Sequence, residues 1–129
     1  LGICLGMQLL LSKSYEFGEH KGLDLIKGNV EKLTSQKTNQ IKIPHIGWST
    51  INFNKLNKNY ENFDKKNFYF VHSYIANTVD PNDTIAFSKI SNIKIPAVIN
   101  HKNITGFQFH PEKSRETGLE LINLFCEQK

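Results

Sequence analysis

The sequence predicts an α/β fold, and three observations support that prediction. An apolar strand end at residues 1–3 is followed directly by a helical pattern, short strand-like segments fill the middle of the chain, and an amphipathic helix ends it. Strands mixed with helices favour a sheet flanked by helices. At 129 residues, 39% hydrophobic and 22% charged, the chain fits one globular domain, residues 1–129.

The first part of the chain is expected to alternate helix and strand. Apolar residues from Met7 to Leu11 predict a helix over residues 7–15, and Gly18 and Gly22 mark its end. The alternating residues 22–28, with the apolar residues that follow them, predict a turn and a strand.

A further strand is expected just before a proline. Residues 41–44 read as a strand that ends at Pro44 and follows a polar loop at residues 34–40. Pro44 and Gly47 predict that residues 45–49 continue irregularly, because neither residue favours a regular ladder.

The later elements are mostly strands, with one helix at the end. Residues 52–67 predict a loop with a short helix, and residues 68–71, 84–90 and 97–101 predict strands. Phe107 and Phe109 alternate with Gln108 and His110, as on a strand with two different faces. Ser114 is expected to cap the final helix, whose inward face should carry the apolar residues Leu119, Leu121, Ile122, Phe125 and Cys126.

Composition excludes several classes of function. The net charge of +4 comes from lysines dispersed among asparagines, without the clustered basic and aromatic residues of a nucleic-acid site. No apolar run is long enough to cross a membrane. The two cysteines, Cys4 and Cys126, have no metal-type spacing, so we expect no metal and no disulfide framework. A reducing compartment, the cytoplasm, follows as the expected location.

Residues 2–6 have the form G-x-C-x-G, which is the nucleophile-elbow pattern with cysteine in place of serine. Such a turn holds the nucleophile between a strand and a helix, and the flanking glycines leave room for neighbouring chain. The helix N-terminus should favour the thiolate of Cys4, and the Leu5 N–H should serve an oxyanion hole. Taken alone, the pattern fits a buried cysteine between two glycines equally well.

A thiol that attacks an amide needs a base and a group that orients the base. His110 and Glu112 are separated by one proline, and residues two apart in an extended chain point to the same face. His110 would then deprotonate Cys4 and protonate the leaving group. By itself the His-Pro-Glu sequence fits a loop with a surface salt bridge, but its occurrence together with the elbow favours a triad.

Residues 2–8 and 106–114 resemble the two signatures of the class I, triad-type glutamine amidotransferases. Residues 22–28, 43–48 and 69–74 narrow the resemblance to the glutaminase subunit of imidazole glycerol phosphate synthase. The resemblance implies a flavodoxin-like sheet with flanking helices, no cofactor, glutamine as substrate and a (β/α)8-barrel synthase as partner in a heterodimer.

The resemblance also implies roles for individual residues. Cys4 would be the nucleophile, His110 the base and Glu112 its orienting group. The substrate pocket would contain Leu5, Gln8, Ser73 and Tyr74, and the surface facing the synthase and the ammonia route would contain Trp48, Tyr69 and Lys113.

Simpler interpretations of several residues remain open. Trp48 can be core filler, Tyr69 a strand residue that packs the sheet, and Lys113 a solvated lysine. His45 and His72 are expected to be hydrogen-bonded structural histidines and not metal ligands.

The sequence also departs from the family pattern. Ser49 stands where the family usually has Asn, and Phe107 where Thr is more common. A subunit that supplies ammonia for sugar amidation in surface-polysaccharide synthesis is therefore an alternative. A non-catalytic scaffolding subunit is an alternative of another class, which loss of Cys4, His110 or Glu112 would have favoured. The family's βα units before the elbow, with a second oxyanion contact, are missing from this sequence, which we expect to be a C-terminal portion.

Overall fold

A computed structural model of the chain describes residues 1–34, 42–54, 59–91 and 93–127. Two α-helices are present in this part of the chain, α1 (Leu5–Leu9) and α2 (Arg115–Glu127). Short 3-10 helices form at Glu61–Phe63, Pro81–Asp83 and Pro111–Lys113. The strands are β1 (Gly2–Ile3), β2 (Leu11–Ser14), β3 (His20–Lys21), β4 (Ile26–Lys32), β5 (His45–Phe53), β6 (Asn67–His72), β7 (Tyr74–Thr78), β8 (Thr84–Ile90), β9 (Ile93–His101) and β10 (Ile104–Phe107).

The described strands form two sheets. The larger has the order β1-β10-β9-β8-β5-β6, and the smaller has the order β3-β2-β4-β7. The pairs β1–β10 and β2–β4 are parallel, whereas the other pairings are antiparallel. This mixed architecture confirms the predicted α/β class, with a sheet that is more antiparallel and helices that are fewer than the sequence suggested.

Aromatic residues form the main core and fix the strand that leads to the candidate site. The Phe109 ring lies 4.3 Å from that of Phe68 and 5.2 Å from that of Phe107, and all three are buried. Each buried phenylalanine contributes about 1.5–3 kcal/mol through apolar burial. A second cluster is built on Met7 of α1, Leu11 and their neighbours. Phe107 of β10 belongs to the main cluster, whereas Ile104 of the same strand packs against the second.

The helix predicted over residues 7–15 is wrong in extent. Helix α1 ends at Leu9, and Leu11 begins strand β2. The returning chain takes the backbone acceptors that a longer helix would use, because Leu23 N–H donates to Leu9 O and Ile26 N–H donates to Leu10 O. This approach requires glycine at position 22, where an added Cβ would lie 2.0 Å from Leu11 O.

The irregular segment predicted at residues 45–49 is also wrong. His45 to Thr50 pair in register with β6, and Gly47 keeps its place in the ladder at a φ of +137°. Of the strand predicted at residues 41–44, positions 42–44 are not in a strand. Ile41 and the predicted loop beyond Thr34 lie outside the described residues. Long-range pairing with β6 thus overrides the local preferences of proline and glycine.

The remaining predicted elements agree more closely. Strands β6, β8 and β9 contain the predicted segments, and the short helix within 52–67 is Glu61–Phe63. Strand β4 begins only at Ile26, so residues 22–25 of the predicted turn and strand are not in a strand. Helix α2 follows Ser114 as expected, but its inward face is centred on Gly118 and Leu121. Leu119 is 53% exposed and Cys126 is exposed, so the predicted packed thiol at Cys126 is wrong.

Candidate active site

Cys4 lies on a strained turn between β1 and α1. Its φ of 50° and ψ of −106° are outside the regions that non-glycine residues normally occupy. The Cys4 N–H donates to Phe107 O at 2.7 Å, which ties the turn to the neighbouring strand. An added Cβ at Gly2 would lie 2.6 Å from the Gly6 carbonyl carbon, whereas one at Gly6 meets no described atom within 4 Å. The elbow geometry is as predicted, but only the first glycine is required by close approach.

The thiol of Cys4 is not activated in this arrangement. Burial raises its pKa above the ordinary value, and the carboxylates of Glu112 and Glu16 raise it further. The Leu5 N–H and the Gln108 amide lower the pKa by a smaller amount. The N–H at the start of α1 thus favours the thiolate, as predicted, but burial outweighs this effect and the net pKa is raised. Consequently, attack by Cys4 requires a base to accept its proton.

His110 and Glu112 form the predicted pair. His110 Nδ1 lies 2.6 Å from Glu112 Oε1, and an ionised carboxylate only accepts, so the proton is on Nδ1. Nε2 is then the basic nitrogen. The backbone around His110 is held on both sides, because its N–H donates to Tyr69 O and its carbonyl accepts from Ser114 Oγ at 2.6 Å. These contacts hold the His110 backbone in place and make Nε2 the nitrogen that could accept a proton.

The β1–β10 pair brings the candidate nucleophile and the candidate base to the same sheet end. Ile3 is opposite Phe107 in the parallel register, and Cys4 lies one residue and His110 three residues beyond this pair. In this structure the Cys4 thiol donates to Val71 O at 3.7 Å, and Sγ accepts from Gln108 Nε2 at 3.8 Å. Within the described residues no hydrogen bond joins Sγ to the His110 ring. The thiol of Cys4 is therefore directed at Val71 O, and not at the His110 ring, in this structure.

A small open cavity of about 240 Å³ begins at the nucleophile. It contains all four predicted pocket residues, Leu5, Gln8, Ser73 and Tyr74. Gln8 Nε2 donates to Tyr74 O at 3.0 Å and to Gln108 Oε1 at 3.3 Å. Because both amide donors are used, Gln8 can offer a ligand only its carbonyl oxygen.

The sequence did not identify every residue of this site. Gln108 is fully buried and touches both Sγ of Cys4 and the Gln8 amide. The alternation of Phe107 and Phe109 with Gln108 and His110 was the available signal, since it put Gln108 on the side of the base. His72 is hydrogen-bonded as predicted, and it also lines the cavity together with Glu16 and Val71.

The predicted partner-facing residues lie beside the candidate triad. Trp48 is opposite Tyr69 in the β5–β6 register, and their rings meet edge to face at 5.9 Å. Trp48 is 45% exposed, which excludes a role as core filler, and the Arg115 guanidinium lies 5.0 Å above its ring. Lys113 is exposed in the turn between His110 and α2. Contact of this surface with a partner stays a prediction.

In residues 1–34, 42–54, 59–91 and 93–127, no three His, Cys, Asp or Glu side chains come together in a way that could hold a metal ion. No helix formed by these residues is both long enough and apolar enough to span a bilayer.

Comparison with known proteins identifies the family. The sequence profile described as "Glutamine amidotransferase class-I" matches residues 1–128. The imidazole glycerol phosphate synthase subunit HisH of Lactococcus lactis is 45% identical over 129 residues, which cover 99% of this chain and 61% of that protein. The subunits of the same name from Oceanobacillus iheyensis and Chlorobaculum tepidum are 40% and 43% identical, over 98% of this chain in each case. The chain spans 61–62% of the length of these three relatives. The chain therefore belongs to the class I glutamine amidotransferase family.

Proposed function

We propose that the protein is the glutaminase subunit of an imidazole glycerol phosphate synthase and supplies ammonia for histidine biosynthesis. The observation that carries the proposal is the convergence of the Cys4 elbow and the 2.6 Å His110–Glu112 pair on one sheet end beside the cavity. The relatives that bear this subunit's name are 40–45% identical over nearly the whole chain, which supports the choice of pathway.

In the proposed reaction Cys4 attacks the side-chain amide of glutamine. His110 Nε2 takes the thiol proton as the carbon–sulfur bond forms, and the Leu5 N–H faces the developing oxyanion. As the first residue of α1, Leu5 has no intrahelical acceptor for that N–H. His110 then returns the proton to the leaving nitrogen, and ammonia departs from a γ-glutamyl thioester. Water activated by the same ring hydrolyses the thioester to glutamate and restores the thiol.

Glu112 and Gln8 take supporting roles in this proposal. Glu112 keeps the proton on Nδ1 and stabilises the imidazolium that forms during each proton transfer. Gln8 presents its carbonyl oxygen to the substrate, with Ser73 and Tyr74 forming the wall of the pocket. No cofactor is required, because the thiol itself supplies the nucleophile.

We propose that Trp48, Tyr69 and Lys113 face a (β/α)8-barrel synthase subunit, which uses the ammonia in a heterodimer in the cytoplasm. Trp48 is exposed and Tyr69 is partly exposed, and aromatic residues are enriched at the centres of interfaces. Tyr69 also joins this surface to the triad, since its carbonyl accepts from the His110 N–H.

A coupled assay on the full-length protein tests this function. Glutamate release is measured with the subunit alone, with the barrel subunit, and with the barrel subunit plus its histidine-pathway nucleotide. Strong stimulation by the barrel subunit with its nucleotide is expected. If the rate of glutamate release does not change when the barrel subunit and its nucleotide are added, the ammonia goes to another acceptor. Sugar amidation would then be the first alternative to test.

A further inference from the structure

A chain of hydrogen bonds runs from strand β5 to the candidate substrate cavity. Ser49 Oγ lies 3.0 Å from His45 Nε2, His45 Nδ1 lies 3.0 Å from His72 Nε2, and His72 Nδ1 lies 2.9 Å from Tyr74 O. We name this set, Ser49, His45, His72 and the Tyr74 carbonyl, the histidine chain. It crosses β5 and β6 and ends at the first residue of β7.

The direction of every bond in the histidine chain follows from its last acceptor. The Tyr74 carbonyl only accepts, so His72 carries its proton on Nδ1. Neutral His72 then accepts at Nε2 from His45 Nδ1–H, and neutral His45 accepts at Nε2 from the Ser49 hydroxyl. Burial lowers the pKa of both rings, that of His72 to about 4, which agrees with two neutral imidazoles.

Packing holds both rings in these orientations. The Phe70 ring lies 5.1 Å from the His45 ring and 5.8 Å from the His72 ring, and the two imidazoles meet edge to face at 5.1 Å. Ser49 and His45 occupy the inward face of β5, opposite the exposed Trp48. Neither ring needs to move for the chain to stay complete.

The inner end of the histidine chain joins the binding residues of the cavity. The Tyr74 carbonyl that accepts from His72 also accepts from Gln8 Nε2 at 3.0 Å. Gln8 donates its second N–H to Gln108, which in turn contacts Sγ of Cys4. With two donors on one carbonyl, the orientation of the Gln8 amide depends on where His72 holds the Tyr74 peptide.

We infer that His45 and His72 are positioning residues that fix the Gln8 amide for substrate through the Tyr74 carbonyl, with Ser49 as their outer anchor. The inference rests on the proposed function for the identity of the substrate, glutamine. Neither imidazole exchanges a proton with the reacting atoms, in contrast to His110. Loss of the histidine chain should therefore weaken glutamine binding and leave the chemical step intact.

Kinetics of the full-length protein with its synthase partner test this role. His45→Phe keeps an aromatic ring against Phe70 and removes both ring nitrogens. We expect the KM for glutamine to rise about fivefold, the effect of one lost hydrogen bond, with kcat within about twofold of wild type. The matched control is His20→Phe on β3, where an exposed histidine contacts Phe17 O at 3.4 Å, and KM should not change.

The outer anchor provides a second, milder pair of variants. Ser49→Ala removes the donor to His45 and should raise KM about twofold, whereas Ser49→Asn retains an N–H donor and should stay near wild type. These exchanges also keep the inference testable if His45→Phe does not fold. An unchanged KM in Ser49→Ala and His45→Phe would overturn the inference, as would a tenfold loss of kcat at constant KM.

Nitrogen-15 NMR of the histidine rings tests the histidine chain independently of activity. The His45 and His72 rings, each assigned by the loss of its signals in the corresponding Phe variant, should show a proton on Nδ1 and none on Nε2 at pH 7, and His45→Phe should shift the His72 Nε2 resonance. A proton on Nε2 of either ring would overturn the inference. If wild type hydrolyses no glutamine, the proposed function fails, and the tautomer pattern by itself decides whether the chain exists.

Discussion

The elbow makes a sharp prediction about two glycines that are four residues apart. An added Cβ at Gly2 would lie 2.6 Å from the carbonyl carbon and oxygen of Gly6 and 2.7 Å from the Met7 nitrogen. All three atoms are backbone, so no side-chain rotation relieves the contact and β1 or α1 must shift. Overpacking of this kind costs about 1–3 kcal/mol, and Gly2→Ala should reduce the free energy of unfolding by that amount.

Gly6→Ala is the matched control for this prediction. Gly6 lies inside α1, and an added Cβ there meets no described atom within 4 Å. Alanine is favoured over glycine in a helix by up to about 1 kcal/mol, so Gly6→Ala should be neutral or stabilising. Urea unfolding of the full-length protein measures both. The steric account of the elbow fails if Gly2→Ala is as stable as wild type, or if Gly6→Ala is the more damaging exchange.

Three further predictions concern the polar groups of the site. Glu112→Gln replaces a carboxylate, whose side chain is 46% exposed, by a neutral amide. We expect kcat/KM for glutamine to fall about tenfold, which corresponds to the weakest hydrogen bonds that involve a charged group. Steady-state kinetics would show no change if Glu112 does not orient His110. Burial lowers the pKa of His72 from 6.5 to about 4 in the folded protein. Between pH 6.5 and pH 4 the unfolded chain therefore binds a proton at His72 that the folded protein does not, and the free energy of unfolding falls as the pH drops. By pH 4 this group should have lowered the free energy of unfolding by about 3 kcal/mol. Urea unfolding at pH 7 and pH 4.5 should show a larger loss of stability in wild type than in His72→Leu. Gln108→Leu leaves a buried Gln8 N–H without its acceptor and should destabilise the protein by about 1–3 kcal/mol; equal urea midpoints for variant and wild type would contradict that role.

The parts of the site that depend on local geometry were predictable from sequence. A cysteine on a tight turn needs a close-packed glycine before it, and the G-x-C-x-G pattern of residues 2–6 records that need. The spacing of His110 and Glu112 similarly predicts a contact between near neighbours, and Nδ1 of His110 lies 2.6 Å from Oε1 of Glu112 in the structure. Strands rich in aromatic and β-branched residues, such as β6, were also predictable, because these residue types favour strands by their own side-chain shape.

The parts that depend on distant segments were not predictable. Leu11 continues a helical pattern in sequence, but pairing with β4 makes it the start of a strand. Gly47 suggests a break, yet pairing with Phe70 keeps it in a ladder. The pKa of Cys4 rises because the fold buries the thiol and brings two carboxylates near it, which the pentapeptide alone cannot show. Gln108 acquires its importance only when Cys4 and Gln8 are folded around it.

The central claim is that Cys4, deprotonated by His110, forms a γ-glutamyl thioester. The most direct measurement is acid quenching of the full-length protein during turnover with isotopically labelled glutamine, followed by mass spectrometry of the cysteine peptides. The account predicts label on the Cys4 peptide, none on the exposed Cys126, and loss of label in His110→Ala. Label on Cys126 alone, or turnover that persists in Cys4→Ser, would contradict the account.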